Sequence, residues 1–152
     1  PVLLYDRQRR IVAAVHAGWR GTVNRILAKT LHRMQSAYGT RGTDVIACIG
    51  PGISLDSFEV GDEVYEAFRT ENFPMEYISV WKPETHKYHI DLWAANRLQL
   101  SDFGVPPRQI ENAGICTYRQ HEDFFSARRL GIKSGRILSG IMLNRQEKEE
   151  RK

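Results

Sequence analysis

"AAVHAGWRGTVNRIL", residues 13–27, joins two kinds of periodicity across one short motif. Before it, Ile11 to Val15 is a continuous apolar run of strand length; after it, Val23, Ile26, Leu27, Thr30, Leu31 and Met34 recur at helical spacing. At about 100° per residue those side chains fill one arc, and His32 falls outside it. Thr22 has the chemistry of an N-cap and Gly39 that of a helix stop, so the spacing predicts a helix over 22–38. Strand, glycine-bearing turn and helix follow one another, the alternation expected of a domain that mixes helices with buried strands.

Working outward, "PVLLYD" and Ile11 to Val15 read as two strands joined by the charged turn "DRQRR". "DVIACIGPGI" is a further buried strand, stopped by Gly50-Pro51-Gly52. Val60 to Arg69 has short-helix spacing, "EYISVW" reads as a strand, and Asp91 caps a helix from Leu92 to about Phe103, closed by Gly104 and Pro106-Pro107. "IENAGICT" and "RILSGIML" complete the strands, with the long loop "YRQHEDFFSARRLGIKSG" between them. The expected fold is α+β: a mixed sheet core with flanking helices, layered in an α/β/β/α-like domain over 1–143, followed by a charged tail at 144–152.

The composition narrows the function classes. The chain has 152 residues, 41% hydrophobic and 26% charged, which suits one soluble domain with a genuine core. No apolar stretch approaches the roughly 20 residues that span a bilayer, and no signal peptide is expected from the opening residues. The formal charge of +4 is spread among acids, so a solvated surface fits better than a nucleic-acid groove, and no membrane partner is expected. Two cysteines, Cys48 and Cys116, lie in apolar runs and read as reduced buried thiols, which points to a cytoplasmic location. The sequence opens directly on a strand-like run without a polar lead-in, so it is expected to be the later part of a longer protein.

The motif between strand and helix holds more chemistry than a turn requires. Gly18 and Gly21 permit close backbone approaches that a side chain would block. The N–H groups of the following helix start, with Arg20 beside them, form a place for an anion next to the His16 imidazole. Trp19 offers an aromatic wall for a planar ligand, or a core anchor. His86 and His89, three apart in an extended segment, face opposite ways and do not make a joint metal site. His121 lies in the long loop with Phe124, Phe125, Ser126, Arg128 and Arg129. That loop has the polar and aromatic make-up of functional loops.

"HAGWRG", "IGPGI" at 49–53, "DL" at 91–92, "CT" at 116–117, "FFSARR" at 124–129 and "GR" at 135–136 occur here in one order. In that order they resemble the YfiH-like, laccase-domain family, known as polyphenol oxidases and as purine nucleoside phosphorylases. The resemblance runs from Pro1 to about Leu143; Ala127 departs from it, standing where the family often has an aromatic residue. It implies zinc held by two histidines and a cysteine, with His16 as one ligand and the other two upstream of Pro1. Cys48 and Cys116 do not match the family cysteine.

The resemblance implies phosphorolysis of adenosine, inosine and methylthioadenosine, together with adenosine deamination. Nucleoside and phosphate are the expected partners. Gly18, Trp19, Arg20, Gly21, Phe125, Ser126 and Arg128 are the expected substrate-binding residues, with Arg20 and the helix N-terminus as the phosphate candidates. Three other readings stand beside this one. A Cys-His thiol hydrolase or amidase would use His16 as base. A laccase-like polyphenol oxidase would place copper at the zinc site. A non-catalytic role in quality control of cell-wall precursors would leave the pocket without turnover.

Overall fold

A computed structural model describes residues 1–144; the tail expected at 144–152 falls outside them except for Asn144. The first two strands pair as expected, β1 (Val2–Asp6) antiparallel to β2 (Ile11–Val15), with Val2 opposite Val15 and Asp6 opposite Ile11. Their turn is organised by Asp6, whose Oδ1 accepts the amides of Gln8 and Arg9 at 3.0 Å each. β3 (Val45–Ile49) runs antiparallel along the other edge of β1, and β7 (Ile110–Asn112) lies parallel to β3. The mixed sheet therefore has the order β2-β1-β3-β7. A second, antiparallel sheet has the order β4-β6-β5, from β4 (Glu59–Val60), β5 (Ser79–Lys82) and β6 (Lys87–Ile90).

Helices flank both sheets. α2 (Ile26–Tyr38) and α5 (Leu92–Asp102) cover one face of the mixed sheet, where Leu27 and Leu31 meet Leu4, Val45, Ala47 and Leu100. α3 (Asp62–Thr70) and α4 (Met75–Ile78) close a second core, in which Phe58, Phe68, Phe73, Ile78 and Ile90 pack around Ala95 of α5. α5 thus gives Leu100 to one core and Ala95 to the other, which joins the two halves of the domain. Asp91 caps it as expected, its Oδ1 accepting the Ala94 amide at 2.9 Å.

Four sequence expectations need correction. The helix over 22–38 is two helices. α1 (Trp19–Val23) ends at Asn24, Arg25 takes a left-handed φ of 55°, and α2 begins at Ile26. Thr22 is accordingly not an N-cap but a buried residue inside α1, with its hydroxyl donating to the Ala17 carbonyl at 3.1 Å. The break is spanned from α5 by Gln99, whose Nε2 donates to the Thr22 carbonyl at 3.2 Å while its Oε1 accepts the Ala28 amide at 3.2 Å. One buried side-chain amide thus ties the two helix ends together. It supplies the partner that the Ala28 amide lacks and a second donor to the Thr22 carbonyl, which also accepts the Arg25 amide at 3.0 Å. Leu27, Leu31 and Met34 are core residues and His32 is exposed, as the periodicity requires, but Ile26 at the new helix start is exposed as well.

The other three corrections concern strands. "EYISVW" begins as the helical turn α4 and becomes strand only at Ser79. "IENAGICT" pairs only over β7, because the Asn112 side chain accepts the Gly114 amide at 3.0 Å and Gly114 turns to a φ of +66°. Beyond that turn, Cys116 keeps a single bridge to Gly52. "RILSGIML" forms no strand and pairs with none among the described residues, and Leu138 and Met142 stand 97% and 81% exposed. The long loop before it contains one helical turn, α6 (Ala127–Leu130), capped by the Ser126 hydroxyl.

Candidate functional site

The register that sets Val2 opposite both Val15 and Ile49 brings the start of β1 and the ends of β2 and β3 to one end of the mixed sheet. A half-open cavity of about 500 Å³ lies there. Its volume is within the usual range for small-molecule sites. One side is the β2 end and the turn after it, Val15 to Gly18; the next is the Gly50-Pro51-Gly52 turn after β3. α5 contributes Leu92, Trp93 and Asn96, and the segment from Phe125 to Ser139 closes the rim.

His16 is exposed at this cavity, and the reason for the glycine two residues on is steric. A Cβ at Gly18 would stand 3.0 Å from His16 Nε2, so the bare backbone lets the imidazole lie back against the turn. Gly18 is also the extended residue from which α1 departs, and its carbonyl accepts the Thr22 amide at 2.8 Å. Thr22 in turn links this loop to α5, since its Oγ1 accepts from Asn96 Nδ2 at 3.1 Å while donating to the Ala17 carbonyl. The chain Asn96–Thr22–Ala17 holds the backbone directly after His16.

Asn96 is 3% exposed, and both of its amide protons are used, toward Thr22 Oγ1 and toward the Leu92 carbonyl at 2.8 Å. A carbonyl can only accept, so the amide cannot flip, and Oδ1 is left without a partner. The indole N–H of Trp93 is likewise buried and unpartnered. Trp93 and Asn96 are three apart on α5 and therefore share one helix face. An orphaned acceptor and an orphaned donor on two residues of one cavity lining are uncommon in native interiors, which pair nearly all buried polar groups.

The expected zinc ligand His16 lines this cavity, as do Gly18 and Phe125 of the residues expected to bind substrate. Trp19, Arg20, Gly21, Ser126 and Arg128 do not, each for a physical reason. Trp19 is packed against the second core, and the Arg20 guanidinium lies over its ring at 4.3 Å. Gly21 sits inside α1, where a Cβ would stand 3.2 Å from Ile26 Cγ2 and 3.3 Å from the His16 carbonyl oxygen. Ser126 is buried as the cap of α6. Arg128 turns to the second sheet, donating to the Glu59 carbonyl at 2.7 Å and stacking over Phe58. In their place come Trp93, Asn96, Thr117 and Arg136. Thr117 and Arg136 were signalled only by "CT" and "GR", short motifs with no chemistry of their own.

A zinc site does not fit the described residues. Tetrahedral zinc takes three or four nitrogen, sulfur or carboxylate donors, and no group of three His, Cys, Asp or Glu is assembled among residues 1–144. His16 is a single donor. Cys116 lies elsewhere, against Ser54 and Ser57: Ser54 Oγ reaches its sulfur at 3.1 Å and the Ser54 amide at 3.4 Å. Burial pushes this thiol up, but hydrogen bonds from Ser54, Ser57 and the Arg119 amide outweigh it and bring the pKa down to about 7. No helix of the described residues is long and apolar enough to cross a membrane.

Comparison with known proteins agrees with this architecture. The family model described as multi-copper polyphenol oxidoreductase laccase matches residues 1–144. A purine nucleoside phosphorylase of Bacteroides thetaiotaomicron is 63% identical over 145 residues, covering 95% of this chain and 54% of that protein. Adenosine deaminase RL5, from an unknown prokaryotic organism, is 50% identical over 141 residues, covering 93% and 53%. The crystal structure of a hypothetical protein YfiH from Bacillus licheniformis superposes with a TM-score of 0.77 at 32% identity, covering 84% of this chain and 48% of that one. The chain spans about half the length of the curated relatives it matches.

Proposed function

This chain belongs to the multi-copper polyphenol oxidoreductase laccase family, and on that premise we propose that it forms the nucleoside-binding part of a purine nucleoside phosphorylase that also deaminates adenosine. The observation that carries this reading is the cavity at the His16 end of the mixed sheet, which gathers an imidazole, an exposed aromatic ring and a guanidinium around apolar walls. Relatives named purine nucleoside phosphorylase and adenosine deaminase support the choice of substrate.

In this reading a purine base stacks against Phe125, and the apolar walls from Val2, Ile49, Ile53 and Leu92 exclude water from its faces. Adenosine, inosine and methylthioadenosine share the purine nucleoside core that such a pocket would hold. Phosphorolysis forms a bond from a phosphate oxygen to C1′ as the C1′–N9 bond breaks. The electron pair leaves on the base, which takes a proton and departs as free purine. Deamination replaces the amino group at C6 with the oxygen of water and releases ammonia. Zinc belongs to the reading only through His16, as one donor of a set that the described residues do not complete.

The test uses the protein at the full length of its gene. Inosine or adenosine with phosphate is expected to give free base and ribose 1-phosphate by chromatography, and adenosine alone to give inosine and ammonia. Absence of both products at micromolar enzyme, with folding verified by circular dichroism, overturns the reading.

A further inference from the structure

We propose that Arg136 is the oxyanion-binding residue of the His16 cavity and that its ligand is inorganic phosphate. The inference rests on the phosphorolysis reading and names the phosphate subsite within it.

Three observations converge on this residue. First, the lining contains one Lys or Arg residue, Arg136, and no Asp or Glu. A single guanidinium with no carboxylate to neutralise it gives the cavity a net preference for anions. Two hydroxyl residues, Thr117 and Ser139, share the lining. Second, the other arginines near this end are committed elsewhere. Arg20 lies over Trp19, Arg128 is bonded to the Glu59 carbonyl, and Arg129 reaches Tyr118.

Third, the guanidinium is oriented by its own loop. Nη1 donates to the Ser134 carbonyl at 2.6 Å and to the Gly135 carbonyl at 3.1 Å, with Ser134 Oγ at 3.4 Å; Nη2 donates to the Ile132 carbonyl at 3.3 Å. All four acceptors are neutral, so the full positive charge remains. The Nε–H has no partner among the described residues. In a planar guanidinium that N–H is parallel to an N–H of Nη2, the edge that grips two oxygens of a phosphate at once. The same loop also supports the base-stacking ring. A Cβ at Gly135 would stand 2.7 Å from Phe125 Cε2 and Cζ, so the ring rests on the backbone immediately before Arg136. Phe125, Gly135 and Arg136 therefore belong to one stretch of the cavity lining.

The experiment takes the full-length protein, with inorganic phosphate as the probe. Isothermal titration of phosphate without nucleoside is expected to show binding that weakens at least tenfold in Arg136→Gln. Arg136→Lys should fall between the two, because a point charge lacks the fork. In the steady state Arg136→Gln should raise the phosphate KM at least tenfold while the inosine KM moves less than threefold. Phosphorolysis should drop relative to adenosine deamination, which consumes no phosphate. Equal phosphate affinity in wild type and Arg136→Lys or Arg136→Gln overturns the inference, as does a wild type that binds no phosphate. A loss confined to adenosine 5′-monophosphate, with inorganic phosphate unaffected, overturns it too. Failure of the phosphorolysis reading looks different: neither nucleoside product forms in wild type, while the phosphate titration still decides the role of Arg136.

Discussion

The His16 imidazole lies against Gly18, with Nε2 3.0 Å from where a Cβ on that glycine would stand. A methyl group there must push the ring, since 3.0 Å is well inside ordinary carbon–nitrogen contact. Gly18 has an extended backbone, φ −66° and ψ 171°, which any residue adopts, so the substitution costs no backbone strain. Gly18→Ala is therefore expected to lower kcat/KM for nucleosides about tenfold or more, since small displacements of a catalytic group are costly. The thermal midpoint should stay within a few degrees of wild type. Unchanged kinetics would show that the position of the His16 ring is irrelevant to turnover.

Gln99 offers a separate test of the fold. Its side-chain amide bonds Thr22 and Ala28 across the break between α1 and α2, and it is 1% exposed. Replacing it with leucine fills similar volume but strands the Ala28 amide, while the Thr22 carbonyl keeps the Arg25 amide at 3.0 Å. A buried group left unsatisfied costs about 1–3 kcal/mol, so Gln99→Leu is expected to destabilise by about 1–3 kcal/mol in urea unfolding with an unchanged m-value. A loss below about 0.5 kcal/mol would mean that the Ala28 amide finds another partner.

Gln99 also marks the limit of what the sequence could tell. Helical spacing from Val23 to Met34 was legible and correctly placed Leu27, Leu31 and Met34 in the core. The break at Arg25 was not, because the residue that makes it tolerable lies on a helix more than seventy positions away. Short apolar runs were ambiguous for a related reason. "EYISVW" and "RILSGIML" have strand composition, yet strands exist only where a neighbour supplies hydrogen bonds, and propensity cannot see neighbours. At the site, "HAGWRG" announced His16 and Gly18 through residue types that carry chemistry alone. Arg20 and Arg128 drew attention for the same reason and proved to be committed to Trp19 and Glu59. Asn96 and Trp93 gave no signal, since their unpartnered atoms are a property of the packing.

The Cys116 thiol, with a pKa near 7 against an ordinary value near 9, provides a pH signature. The absorbance difference at 240 nm between wild type and Cys116→Ser should titrate with a midpoint near pH 7. Ser54→Ala should move that midpoint upward, because it removes the strongest donor to the sulfur. The sign for stability follows from proton linkage. Between pH 7 and 9 the unfolded chain holds this proton and the folded chain has lost it, so stability rises with pH. The contribution is complete above about pH 9 and lost as pH falls through 7. The gap in thermal midpoint between wild type and Cys116→Ser should therefore shift in favour of wild type from pH 7 to 9. A flat gap, or a midpoint near 9, would show that the serine contacts do not stabilise the thiolate.

The last prediction concerns the metal. His16 is exposed, and no second His, Cys, Asp or Glu joins it in a group of three among the described residues. One imidazole supplies one of the three or four donors that zinc requires, and the remaining positions would be water. Residues 1–152 expressed alone and desalted after loading with zinc should thus retain far less than one ion per chain by inductively coupled plasma mass spectrometry. The protein at the length of its relatives should retain about one, as the family resemblance implies, and His16→Ala should release it without lowering the thermal midpoint of the metal-free form. Stoichiometric zinc in the isolated chain would mean that these residues assemble a donor set other than the one described. Stoichiometric zinc in the longer His16→Ala protein would remove His16 from the ligand set while leaving the cavity, and the Arg136 subsite within it, untouched.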